Sequence, residues 1–356
     1  MAVYRIIGDH VIAEEDLRAN PSMIGKFLPN PELPPALGGQ IKPLGATTPF
    51  VPIGKGLPLT VLIRHVYTGQ YPDPNVFGRN GDIAVVSGVR DFDVFNAASR
   101  ALNFIQQSVP PCSHLTTPSA FTDGTPLVAY SPAVLADSIT LTIELAAARF
   151  PQGFVKSLSG AFTALAGIPM LMPYAGWLLG SGQITKLAGD IGHALMDGPV
   201  FTKTEQLDFE WPGTEQAVAD FRVISRPEFR ADLFKYKDGR GLVDLDDQAY
   251  RGEQPYVIVS LDGRRNDKYA KFAPTLASAA VLERFFQVKE GQQAAIDTLI
   301  EGMRLASDLK YRQLAEGLAQ EIAAAAGDAE TIKSLTQQLK AVRDNIQTPA
   351  LRPPMP

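Results

Sequence analysis

Asp137-Ser-Ile-Thr-Leu-Thr-Ile-Glu-Leu145 sets Ile139, Leu141, Ile143 and Leu145 at every second position, with hydroxyl-bearing or acidic residues between them. Alternation with period two puts the four apolar side chains on one face of an extended chain, the pattern of a half-buried strand. Working outward, Leu127-Val-Ala-Tyr130, Leu59-Thr-Val-Leu-Ile-Arg-His-Val-Tyr67 and Asp82-Ile-Ala-Val-Val-Ser87 are β-branched or apolar runs of strand length. Asn80-Gly81 opens the last of them, and Tyr71-Pro-Asp-Pro-Asn75 supplies a turn. Between Phe92 and Val109 the apolar positions Phe95, Ala98, Leu102 and Ile105 recur at helical spacing, which predicts a short amphipathic helix. Residues 59–150 therefore read as a first β-rich lobe.

Residues 199–272 read as a second lobe. Glu205–Trp211, Ala217–Ile224, Phe229–Tyr236, Gly241–Leu245 and Pro255–Leu261 form strand-length segments, with turns at Asp238-Gly239 and Asp262-Gly263. Before the first lobe, residues 1–58 begin with a short strand (Val3 to Ile7) and a helix from Glu14. They continue as an extended arm with prolines at 21, 29, 31, 34, 35, 43, 49, 52 and 58. Proline removes a backbone donor and fixes φ, so this arm forms neither a long helix nor a central strand. From residue 273 to 350 the chain turns helical. Ser278–Val288 and Gly291–Ala326 are predicted helices, and Asp328 is placed to cap a last one. In that last helix Ile332, Leu335, Leu339, Val342 and Ile346 recur at spacings of three and four, an interaction seam for a packed helical hairpin or for a partner chain.

The expected fold class is α+β: two β-sandwich-like lobes separated by an apolar helical hairpin, with a C-terminal helical hairpin. The separating segment, 151–198, contains 29 consecutive residues, Ser157 to Thr185, without a charge or a histidine, in a chain that is 20% charged. Pro169 and Pro173 break any single straight helix there, so two short helices meeting at that turn are expected. Phe162, Leu165, Ile168, Leu171, Tyr174, Trp177 and Leu178 form their apolar surface. Such a hairpin serves either as core between the lobes or as a latent membrane-active element, since small-residue pairs such as Gly160/Ala164 and Gly176/Gly180 allow close helix packing in water or in lipid.

The chemistry legible in the sequence is sparse. Phosphate-binding glycine loops, the strand-following dinucleotide fingerprint, the nucleophile elbow and the two-histidine zinc motif are not found. The net charge of −5 argues against nucleic acid as a partner. A single cysteine excludes an internal disulfide framework. That residue, Cys112, lies in Val109-Pro-Pro-Cys-Ser-His114, where an imidazole from His65 or His193 would make it a nucleophile; as a small apolar filler it has no such role. Acidic turns at Asp91-Phe-Asp93, Asp244-Leu-Asp-Asp247 and Asp262-Gly-Arg-Arg-Asn-Asp267 make Asp244, Asp246, Asp262 and Asp267 candidate calcium ligands, with solvated ion-paired turns as the competing reading. The N-terminus has neither the basic start nor the apolar run of a secretory signal, so a cytoplasmic location is expected, with membrane association after activation. The expected function is that of a non-catalytic interaction or effector protein that oligomerises and carries the 157–185 element, without a cofactor. The alternatives are a structural assembly subunit using the proline-rich arm and C-terminal helices, and a calcium-dependent lipid-binding protein.

Overall fold

The computed structural model describes residues 3–7, 9–20, 53–71, 81–91, 95–115, 117–118, 124–148, 170–171, 200–209, 220–226, 228–263, 265–266, 269, 296–325 and 327–355. Among them the fold is mixed α+β: mostly antiparallel strands in two sheets with few helices, including a curled half-barrel sheet. In chain order the elements are β1 (Val3–Ile7), β2 (His10–Ala13), α1 (Glu14–Ala19), β3 (Leu59–Tyr67), β4 (Gly81–Asp91), β5 (Phe95–Val109) and β6 (His114–Leu115). Then come β7 (Leu127–Ser131), β8 (Ser138–Ala148), β9 (Met170–Leu171), β10 (Phe201–Asp208), β11 (Asp220–Ser225), β12 (Lys235–Lys237), β13 (Gly241–Val243) and β14 (Tyr256–Asp262). Two helices, α2 (Ile296–Ala324) and α3 (Ala329–Asn345), close the described chain.

A nine-stranded sheet runs β13-β12-β2-β1-β11-β14-β3-β6, with β7 also on β3; a five-stranded sheet runs β10-β8-β4-β5-β9. Each sheet thus draws strands from both stretches that read as lobes: β14 lies on β3, and β10 lies on β8. The reason is burial. Along β3 and β14 both faces are largely covered, and a strand buried on both faces needs a hydrogen-bonded neighbour on each edge. For β3 those neighbours are β14 on one side and β6 and β7 on the other.

The two sheets share one apolar core. Leu59, Val61 and Ile63 of β3 and Val257, Val259 and Leu261 of β14 meet Ile83 and Val85 of β4 and the alternating Ile139, Leu141, Ile143 and Leu145 of β8. The alternation of β8 is therefore used as the sequence predicts. The 92–109 stretch is not: Phe95–Val109 is a fifteen-residue strand, and the predicted helix is corrected. The β4–β5 ladder shifts register at three places. Two of these shifts add one residue to β5 and the third, between Phe95 and Ser99, adds two; the single extra residue at Asn103 flips side-chain parity, so Leu102 and Ile105, three apart, share a face as they would on a helix.

Of the 157–185 segment, the described residues are Met170 and Leu171. They form β9, with Leu171 opposite Ala101 and Met170 opposite Leu102. At these positions the backbone is extended rather than helical, as suits a pair enclosed by Pro169 and Pro173. Phe162, Leu165, Ile168, Tyr174, Trp177 and Leu178 lie outside the described residues, as do the predicted helix at 278–288 and most of the proline-rich arm.

The C-terminal helices follow the sequence closely. Gly327 turns the chain at φ +105°, and the Asp328 side chain caps α3 by accepting from Thr331 N at 3.2 Å. Leu339, Val342 and Ile346 of the seam are buried against Tyr311 and Ala315 of α2, with Leu135 of the body packed alongside; Ile332 and Leu335 are half-buried. Two buried polar groups fasten the ends. Asp308 accepts from Gln347 N and Thr348 N, each at 2.8 Å, and Asn345 Nδ2 donates to Ala133 O at 2.7 Å. Replacing Asp308 with alanine leaves both amides without their acceptor, so Asp308→Ala is expected to lower stability in urea denaturation by roughly 2–4 kcal/mol; a loss under about 0.5 kcal/mol would show that the carboxylate does not hold the tail.

Candidate functional site

One displaced residue in β3 builds a polar interior site. In the β3–β14 ladder the register shifts between Ile258 and Val259, so that Ile258 faces His65 while Val259 faces Ile63. Arg64 is the extra residue, and its Nε donates to Ser260 Oγ at 2.7 Å. The shift hands the core face from Ile63 to Val66 and turns His65 and Tyr67 to the opposite face. There they join Tyr256 of β14, His114 of β6, Phe229, Phe234 and Tyr250, with Cys112 packed at the side.

The rings pack tightly. Tyr67 and Tyr256 stack with centroids 5.4 Å apart, Tyr250 meets Tyr67 edge-on at 5.0 Å, and His114 is 4.7 Å from Tyr67. Each phenol is satisfied: Tyr67 Oη donates to Gly252 O at 2.7 Å, Tyr256 Oη accepts from Leu242 N at 3.0 Å, and Tyr250 Oη accepts from Gln254 N at 3.3 Å. Burial raises the pKa of all three. Phenols held this way stay protonated at neutral pH and cannot serve as bases.

The two histidines are hydrogen-bonded to each other, His65 Nε2 to His114 Nδ1 at 2.8 Å, and His114 Nε2 lies 2.9 Å from Tyr250 O. The carbonyl oxygen can only accept, so His114 Nε2 carries a proton. In the neutral ring Nδ1 is then the acceptor, and His65 Nε2–H must donate to it. The polarity of the chain is thereby fixed as His65 to His114 to Tyr250 O. Burial lowers the pKa of His65 to about 4, with His114 adding to the effect. Burial lowers that of His114 as well, against the opposing pull of the Tyr250 carbonyl.

The residues singled out from sequence fare differently. Cys112 Sγ lies 3.6 Å from Gln70 Oε1, while the facing nitrogen of His65 is committed to His114. The structure does not form the thiol–His65 pair, and His193 lies outside the described residues. Asp244 Oδ1 accepts from Asp246 N at 2.9 Å and Gln248 N at 2.8 Å, so its carboxylate organises its own turn. In the same turn Asp247 pairs with Lys237 at 2.5 Å. Asp262 ends β14 opposite Thr60, and Asp267 lies outside the described residues. Among the described residues no three His, Cys, Asp or Glu side chains are grouped to hold a metal ion.

Sequence reasoning missed the histidine–tyrosine cluster. Its one visible trace is the polar and aromatic pair His65 and Tyr67, two apart in an otherwise apolar run. No family model matches the chain, and no curated protein matches it.

Gly241 closes the cluster from β13. It has φ +78°, and a Cβ there would stand 2.5 Å from His65 Nε2 and 2.7 Å from Tyr256 Oη. Gly241→Ala therefore combines backbone strain with a clash against the histidine pair, and is expected to cost about 2–4 kcal/mol. A thermal melt checks this, and a Tm unchanged from wild type would mean that the ring cluster is not packed as described.

Proposed function

We propose that the chain is a non-catalytic interaction protein that self-associates and carries a latent membrane-active element in 157–185. The carrying observation is the charge pattern: Ser157 to Thr185 holds 29 consecutive residues with no charge and no histidine, in a chain that is 20% charged. Its described residues, Met170 and Leu171, form β9 on the edge of the five-stranded sheet, opposite Leu102 and Ala101. A stretch of that length without a charge suits the hydrocarbon of a bilayer as well as a protein core. In this reading the two sheets and their shared core form a sandwich-like body, and the apolar segment is a helical hairpin on either side of β9. No helix among the described residues is long and apolar enough to cross a membrane, so insertion would follow release and assembly of several copies. The protein would act from the cytoplasmic side.

A structural assembly subunit is the second reading, favoured by α2. Leu305 and Leu309, one turn apart, are 48% and 50% exposed. Apolar side chains at i and i+4 on an open helix face suit contact with another copy.

Dye release separates the two. Incubated with anionic vesicles after limited proteolysis, the protein is expected to release a trapped dye, and Leu171→Glu or Leu178→Asp to reduce release about tenfold or more, because a charge in the hydrocarbon is costly. Leakage that survives both substitutions would overturn insertion through this segment. Self-association without leakage, abolished by Leu305→Glu with Leu309→Glu, would favour the assembly reading.

A further inference from the structure

We infer that the His65–His114 pair is an acid-operated latch: a proton taken up from solvent places a cation in the buried cluster, and that charge is relieved when β6 and the 248–254 loop come away from the body. The geometry supplies each part. The chain from His65 Nε2–H through His114 to Tyr250 O holds together three segments far apart in sequence, β3, β6 and the loop before β14. A proton on His65 Nδ1 leaves both hydrogen bonds in place, whereas one on His114 Nδ1 confronts the Nε2–H of His65. Either course leaves a cation on the buried pair.

Nothing facing the pair welcomes that charge. Tyr67 and its hydroxyl flank it from β3, Tyr256 stacks on His65 from β14 at 5.8 Å, and the Gly241 backbone closes the β13 side. The loop contributes the Tyr250 ring and carbonyl, and Cys112 packs beside the cluster. The charged group acting on the pair is Arg251, whose guanidinium has the same sign as the incoming proton. The phenols are neutral, so no anion of the cluster compensates. The part that opens is held by a short ladder: β6 meets β3 through two register pairs, Val66 with Leu115 and Tyr67 with His114.

The direction and size follow from linkage. His65 in the closed state takes its proton near pH 4, and an exposed histidine takes it near 6.5. Lowering the pH from 7 to 5 then favours the open form by about 20-fold through His65 alone. At pH 7 and above the latch stays closed.

Hydrogen exchange on the full chain at pH 7 and pH 5, expressed as protection factors so that intrinsic exchange cancels, tests this. Protection at 112–115 and 248–254 is expected to fall about 20-fold or more at pH 5, while α2 and α3 keep theirs. His65→Gln still donates to His114 Nδ1 but does not titrate, and its loss is expected to stay under about fivefold. Unchanged protection in the wild type, a fall shared equally by α2 and α3, or a full-sized fall in His65→Gln would each overturn the latch. Should His65→Gln not fold at pH 7, His65→Asn, which likewise cannot titrate, is read by the same criterion.

Discussion

The pairing of β3 with β14 joins segments about 200 positions apart, as the Arg64–Ser260 hydrogen bond across 196 residues makes plain. Everything else hangs from it. Through β14 the sheet extends to β11, β1, β2 and the β12–β13 edge; through β3 it reaches β6 and β7. The apolar faces of both strands roof the core that the five-stranded sheet closes from the other side. A contact of such separation is closed late and at an entropic cost, so it must be rewarded by burial on both faces. The near-complete burial of Val61, Ile63, Val257 and Val259 supplies that reward.

The same ladder carries the single irregularity that shapes the site. Without the extra residue at Arg64, strict alternation would place His65 toward the common apolar core, where an imidazole pair would find no partners. The bulge turns His65 and Tyr67 away from it and leaves Val66 in the core. The histidine–tyrosine cluster is thus a consequence of one inserted position in a strand that otherwise reads as a plain buried run.

That irregularity also marks the limit of what sequence alone could say. The α+β class, the strand at 138–148, the cap at Asp328 and the buried seam at Leu339, Val342 and Ile346 were all legible, because each depends on local periodicity or on one capping side chain. The fifteen-residue β5 was not, because an extra residue between Leu102 and Phe104 breaks its alternation. Nor was the shared membership of each sheet, since nothing local to Leu59–Tyr67 names Tyr256–Asp262 as its neighbour. The histidine–tyrosine cluster was invisible for both reasons together: it needs the bulge to aim His65 and the long-range pairing to bring Tyr256 and Tyr250.

The interleaved sheets make one folding unit of the stretches 59–150 and 199–272, and native-state hydrogen exchange across a denaturant series tests that claim directly. The amides of β3, β11 and β14 are expected to lose their slowest-exchanging protection at the same denaturant concentration as those of β4 and β8. Two separate midpoints, with β11 and β14 exchanging as one group and β3, β4 and β8 as another, would contradict the account and restore two independent lobes.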